Sequence, residues 1–257
     1  VVDRQGLARE DRVAVEEPLE VRVAGETVAV TMRTPGDDAA LALGFLFAEG
    51  VLRGLDDVGA VFHCGRPGAE GFENVIEVTP AAGAHVVLKR LDGVRRGTVT
   101  SSACGVCGRQ SIDDLLALCG PVPTGVRLED AVLARAPEVL RATQGLFTET
   151  GGVHGAAALD ERGAVLASAE DVGRHNAVDK VVGALLKRGL VGTARVLVVS
   201  GRASFELVQK ATVARFVALV SVSAASSLAV DLARRVNLRL IGFCRDGTFV
   251  DLTPLDR

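Results

Sequence analysis

The stretch from 195 to 243 leaves little freedom to the fold. Residues 195–199 (RVLVV), 219–222 (LVSV) and 238–243 (LRLIGF) are short, β-branched and apolar, and each is separated from the next by a helix-length segment, 204–216 and 226–235. Runs of this length bounded by turn residues read as buried strands. Strand, helix, strand, helix, strand with short links predicts a parallel sheet covered by helices. Just upstream, 155–159 and 164–167 predict a hairpin around Asp160-Glu161-Arg162-Gly163, followed by a helix over 174–187.

The first half reads differently. Leu19, Val21 and Val23 alternate with polar residues, as do Val28 and Val30 beyond Gly25-Glu26, which predicts a β-hairpin. A turn at 34–38 opens a helix over 39–49 that stops at Gly50. Strands are expected over 58–64, 74–79 and 85–91, then a short helix that begins near Ser111 and Asp114, a partial capping box, and ends at Gly120. Pro121 and Pro123 break the chain before a helix over 129–143, in which Pro137 is a candidate interruption. The expected organisation is an α/β chain, α+β overall: a β-rich N-terminal domain over 1–125 and an α/β domain over 126–257.

Composition narrows the function. Hydrophobic residues make up 48% of the 257, ample for a sizeable core. Aromatics are 4%, with neither Trp nor Tyr, and the net charge is −3. Stacking platforms and phosphate-neutralising charge are both short, so a nucleic-acid-coating protein is disfavoured. No apolar run reaches the roughly 18 residues of a membrane span, so the expectation is a cytoplasmic protein with no membrane contact. Five cysteines, an odd number in a chain that needs no staples, read as reduced thiols.

Two of those cysteines stand out. Cys104 and Cys107 lie in TVTSSACGVCG (98–108), a run of Gly, Ser and Thr that favours an exposed loop, with the basic segment KRLDGVRR (89–96) just before it. Four readings compete. A structural zinc site needs a second ligand pair, and the adjacent His63 and Cys64 are weak support. A thioredoxin-like pair sits at a helix start after a strand, whereas this pair lies in Gly and Ser. Two incidental surface thiols are the bland reading. The fourth is a nucleophile that carries a group on sulfur, with Cys104 or Cys107 as the carrier, since an accessible loop beside basic residues favours the thiolate.

A second constellation follows the strand ends of the C-terminal half, where an open parallel sheet gathers its ligands. The first is Ser200, Gly201, Arg202 and Ser204, ahead of a helix start. The second runs over 223–227 and includes Ser226. The third is Phe243, Cys244, Arg245, Asp246, Gly247 and Thr248. Arg202 and Arg245 suit phosphate, Asp246 suits a guanine edge, and Phe243 suits the face of a ring. Satisfied turns explain each one alone; three in a row favour a nucleotide-bearing ligand. Within EDVGRHNAVDK, His175 and Asp179 share a helix face, for which a solvated, capped helix start is the competing reading. His154, after a Gly pair, is a lone histidine, more often structural than a ligand.

The segments SACGVCG, GGVHGAAAL, EDVGRHNAVDK, SGRASFELVQKA, SAASSLAVDLA and NLRLIGFCRDG occur in the order that marks the FdhD family of formate dehydrogenase accessory sulfurtransferases, which the chain resembles from about residue 18 onward. The resemblance implies an N-terminal β-rich domain, a C-terminal cytidine deaminase-like α/β/α sandwich and a homodimer. It implies sulfur received as a persulfide from a cysteine desulfurase and passed to the molybdenum cofactor, the bis(molybdopterin guanine dinucleotide), of the formate dehydrogenase catalytic subunit. Guanine nucleotide would mimic part of that ligand. Cys104 matches the persulfide carrier with Cys107 as its partner, and Phe243 to Thr248 matches the cofactor-binding stretch. Ser200, Gly201, Arg202, Ser204, Ser226 and His175 join the site on the strand-end argument alone. No metal of its own is implied. Zinc-dependent deamination is disfavoured, because His154-Gly155-Ala156 lacks the Glu of that motif and Ala103 stands where it has Pro. Two other classes remain: a non-catalytic chaperone that delivers the intact cofactor, and a zinc-bound interaction module.

Overall fold

The computed structural model describes residues 10–69, 71–84, 119–123 and 125–254. Two sheets organise them. The first is four-stranded, in the order β2-β1-β4-β3, with β1 (Glu17–Val23), β2 (Glu26–Arg33), β3 (Val58–His63) and β4 (Val75–Pro80). The β1–β2 hairpin forms where period-two alternation placed it, because Leu19, Val21 and Val23 all turn to one buried face. The expected strand over 85–91 and the short helix before Gly120 lie outside the described residues.

Helix α1 (Asp38–Ala48) lies on this sheet and has almost no polar face. The reason is that it is covered on both sides. Leu41, Ala42 and Leu46 pack on the first sheet, while its other side meets α4 (Arg174–Lys187). At that crossing Gly44 and Gly183 bring the backbones together. A Cβ on Gly44 would fall 1.9 Å from the carbonyl oxygen of Asp179, and one on Gly183 would fall 1.9 Å from that of Ala40.

The second sheet has six strands in the order β10-β9-β8-β7-β5-β6. These are β5 (His154–Leu159), β6 (Val165–Asp171), β7 (Val196–Val199), β8 (Ala218–Ser221), β9 (Arg239–Arg245) and β10 (Thr248–Asp251). The three strands expected to run parallel do so, within a sheet that is mixed overall. Only β7, β8 and β9 run parallel, linked by α5 (Phe205–Val213) and α6 (Ser227–Arg235), while β5 is antiparallel to both β6 and β7. The βαβ alternation fixed the parallel core, and the two flanking hairpins add strands that run against it.

Alternate strand residues face opposite sides, as the pleat requires. Leu197, Val199, Leu219 and Leu240 join the core under α4, α5 and α6. Val196, Val198, Val220 and Ile241 face the other way, toward Leu133, Ala136 and Leu140 of α2 (Asp130–Thr143). The helix α2 is continuous through Pro137, contrary to the candidate interruption. A short helix α3 (Gly145–Thr150) follows it. Cys119 and Val122, on the N-terminal side of the expected division at 125/126, sit in the core under α4 to α6, where Val122 N–H donates to the Val236 carbonyl at 2.9 Å. Among the described residues no helix is long and apolar enough to cross a membrane.

Candidate functional site

The carboxyl ends of β7, β8 and β9 lie on one edge of the second sheet, and hydrogen bonds tie the segments after them into a single surface. Ser221 Oγ reaches the Gly201 carbonyl at 2.7 Å and shares a 3.1 Å bond with Ser223. The loops after β7 and β8 pair through an isolated bridge between Ala203 and Ala225. Phe243 N–H donates to the Ser223 carbonyl at 3.0 Å. Three stretches that the sequence picked out separately are therefore contiguous.

Their side chains differ in what they offer. Arg202 is exposed. Ser200 Oγ accepts from Gly155 N–H at 2.9 Å, and Ser226 Oγ caps α6 by accepting from Ala229 N–H at 3.3 Å. The last stretch is not a strand-to-helix turn but the tip of the β9–β10 hairpin. Asp246 and Gly247, at φ 52° and 72°, supply the left-handed pair that a two-residue hairpin turn demands. Phe243 is held at φ 51° and is 44% exposed, a costly backbone for an aromatic residue, at a bulge that offers its ring to solvent. Arg245, Asp246 and Thr248 are exposed beside it. Cys244 points the other way, into the core, and burial pushes its thiol up to about 11.

On the helical side of the edge, the EDVGRHNAVDK segment is mostly buried rather than solvated. Asp171 Oδ2 meets Lys180 Nζ at 2.8 Å and accepts from Thr34 N–H at 3.1 Å, while Lys180 donates to the Thr34 carbonyl at 2.8 Å. Asn176 donates to Asp171 and to the Met32 carbonyl. This polar knot fastens the end of β2 to the start of α4. One turn further on, Asp179 grips Lys210 of α5 at 2.8 and 2.9 Å. Burial pushes the Asp179 carboxyl up to about 7, against the pull of Lys210. Burial alone would lower the Lys210 ammonium, but Asp179, Glu206 and Glu49 together raise it.

His175, 6% exposed, lies between Ser204 Oγ at 3.3 Å and Glu206 Oε2 at 3.2 Å. Both contacts fall on Nε2. A serine–histidine–acid relay needs the carboxylate on the opposite ring nitrogen, so this trio is not arranged as a hydrolase triad.

Beneath α2 and α3, at the same sheet edge, lies a cleft of about 510 Å³ whose walls include Arg141, Gln144, Phe147, His154, Ser200 and Val222. Burial, then the nearby Arg174, lowers the His154 pKa, with Asp171 opposing, so the imidazole is neutral at pH 7. Arg141, Gln144 and Phe147 escaped sequence reasoning. They sit at the end of one helix and in the next, with nothing in their spacing to mark them.

Cys104, Cys107 and the basic segment over 89–96 lie outside the described residues. Among the described residues no group of three His, Cys, Asp or Glu side chains is placed to hold a metal ion.

Comparison with known proteins accounts for the shared motifs. The model of the FdhD/NarQ family matches residues 14–257. A sulfur carrier protein FdhD of Anaeromyxobacter dehalogenans is 55% identical over 249 residues, which cover 94% of this chain and 86% of the relative. The protein of the same name from Mycolicibacterium paratuberculosis is 45% identical over 98% of this chain and 94% of its own. A crystal structure from Desulfotalea psychrophila, described as a formate dehydrogenase accessory protein, shares the fold with a TM-score of 0.75 at 21% identity, over 99% of this chain and 94% of that one. The chain belongs to the FdhD/NarQ family.

Proposed function

We propose that this protein is a sulfur carrier serving formate dehydrogenase, and that Cys104 bears the sulfur. The observation that carries this reading is the SACGVCG segment, set within a span that matches the family from end to end. Hand-over between partners demands an accessible thiolate, which is what the Gly- and Ser-rich sequence around Cys104 favours.

The Cys104 thiolate attacks the terminal sulfur of a cysteine desulfurase persulfide. A new S–S bond forms, the old one breaks, and the desulfurase cysteine leaves as thiolate. Cys104 then holds the outer sulfur as a persulfide, with Cys107 beside it to protect or resolve it. The acceptor is the molybdenum centre of bis(molybdopterin guanine dinucleotide), treated as a transient substrate rather than a resident group, before the catalytic subunit of formate dehydrogenase receives it. The contiguous edge formed by Ser200, Gly201, Arg202, Ser204 and the Phe243 to Thr248 hairpin suits the guanine nucleotide end. Arg202 and Arg245 meet phosphate, Asp246 accepts from a base edge, and the exposed Phe243 ring covers a base. Cys244 contributes only through its backbone, since its side chain faces the core. Ser226 and His175 support the edge from behind, and the working unit is a homodimer in the cytoplasm.

The test is maturation of formate dehydrogenase by a Cys104→Ala variant. The variant is expected to fold and to leave formate dehydrogenase inactive. Normal formate dehydrogenase activity with it would overturn the proposal.

A further inference from the structure

The far end of the second sheet, opposite the strand-end edge, carries a charge that the reading above leaves unused. Helices α4, α5 and α6 all finish there, because each is followed by a short link to the start of β7, β8 or β9. Helix α5 packs between α4 and α6, so the three carboxyl termini stand side by side. With neighbouring helix axes 8–10 Å apart, they make a face about 20 Å wide. Lys187 and Arg188 end α4, Arg215 follows α5, and Arg234 and Arg235 lie in the last turn of α6; all five are exposed. Arg195, half-buried, precedes β7. No described carboxylate forms an ion pair with any of the six. The acids of this end are engaged elsewhere: Asp130 and Asp251 hold Arg239, and Asp160 closes the β5–β6 turn on the N–H groups of Arg162 and Ala164. The exposed Glu161 and Asp231 are outnumbered.

Cations at helix carboxyl termini complement the dipole, which accounts for Lys187, Arg234 and Arg235 singly. It does not account for Arg195, which opens a strand, or for Arg215. Arg215 lies just past the end of α5 at φ 65°, the left-handed conformation that glycine takes without strain. A cation stands where the backbone favours glycine. The segment that bears Cys104 also rejoins the described fold here. Cys119 and Val122 enter the core at this end, and Val122 N–H donates to the carbonyl of Val236, the residue after Arg235.

We propose that this basic end docks the protein that donates the sulfur, through an acidic face on that protein. The proposal rests on the sulfur-carrier reading, which supplies the partner class, a cysteine desulfurase. Unpaired arginines facing carboxylates speed the encounter and fix its orientation. A donor seated here lies beside the point where the Cys104 segment rejoins the fold. It leaves the edge formed by Ser200, Arg202 and the Phe243 to Thr248 hairpin, at the other end of the strands, free for its own ligand. A nucleic acid fits less well. Phe216, the aromatic residue next to Arg215, is fully buried and offers no ring for base stacking. The net charge of −3 also opposes a general attraction to phosphates.

Association of the full chain with an immobilised cysteine desulfurase, measured at low and high salt, tests it. The variants are Arg215→Glu with Arg235→Glu, the neutral pair Arg215→Gln with Arg235→Gln, and a control, Arg53→Glu with Arg66→Glu. The control makes the same change of charge at exposed positions outside this end. Circular dichroism and melting curves confirm that each variant is folded. Wild-type association is expected to slow as salt rises. The glutamate pair at 215 and 235 is expected to slow it about 10-fold or more at low salt and to flatten its salt dependence, with the glutamine pair between and the control near wild type. Association unchanged in the glutamate pair, reduced equally in the control, or absent in the wild type overturns the proposal. So does an unchanged desulfurase association alongside lost binding to phosphatidylserine vesicles or single-stranded RNA, which would assign the face to that polyanion. Binding is read without sulfur transfer, so the two readings fail separately. Desulfurase binding that depends on Arg215 and Arg235 while Cys104 gains no sulfur keeps the docking face and removes the carrier reading. Sulfur gained at Cys104 with association unchanged in the glutamate pair does the reverse.

Discussion

The Cys244 thiol donates to the Leu133 carbonyl, 3.4 Å away, the one oxygen of α2 that Pro137 cannot serve. In an unbroken helix the amide four residues on would fill that role, and proline has none. A buried thiol from the neighbouring sheet takes its place, with the Ala134 carbonyl at 3.7 Å as a second acceptor. Cys244→Val therefore strands a buried carbonyl and costs about 1–3 kcal/mol in denaturant unfolding. In a Pro137→Ala background the helix regains its own donor, and the cost of Cys244→Val shrinks. The same burial makes the thiol inert. Alkylation of the native protein at neutral pH is expected to leave Cys244 unmodified, as peptide mass mapping will show.

Lys210 and Asp179 form a buried pair, and removing Lys210 leaves the buried Asp179 carboxyl without its cation, beside Glu206 and Glu49. Lys210→Met is expected to cost about 3–5 kcal/mol by chemical unfolding.

The same pair sets a pH dependence. Asp179 is raised from an ordinary 3.8 to about 7, so between those values the folded protein keeps a proton that the unfolded chain has released. Its contribution to stability is fully present below the lower value and is lost as pH rises through the upper one. The melting temperature of the wild type relative to Asp179→Asn is expected to fall from about pH 4 to about pH 7. A difference that rises over that interval would contradict the assignment.

Gly44 and Gly183 let α1 and α4 touch backbone to backbone, which is what joins the first sheet to the second. Gly183→Ala forces the helices apart and is expected to cost about 1–3 kcal/mol in thermal or denaturant unfolding, with a similar loss for Gly44→Ala.

The parts of this fold that were legible are those with a short-range signal. The alternation of Leu19, Val21 and Val23, the helical spacing over 174–187 and the βαβ run all reappear as elements in place. Asp246-Gly247 carried a hairpin signature, yet it reads equally well as the end of a parallel strand, and only the pairing of β9 with β10 decides. Pro137 signalled a break that did not occur, because the compensating donor, Cys244, lies more than a hundred residues away. The burial of His175 and Asp179 was hidden for the same reason. Their helix face resembles a solvated one until Lys210, Ser204 and Glu206 arrive from α5 and the loop before it. Arg141 and Gln144 meet His154, Ser200 and Val222 only in the folded cleft, which no local spacing announces.

The central claim concerns one sulfur atom on one residue. Intact-mass spectrometry after incubation with a cysteine desulfurase and cysteine, on the wild type, Cys104→Ala and Cys107→Ala, measures it directly. The account predicts the gain of one sulfur atom in the wild type, lost in Cys104→Ala and removed by a reductant. No gain in the wild type, or a gain that persists in Cys104→Ala, would contradict it.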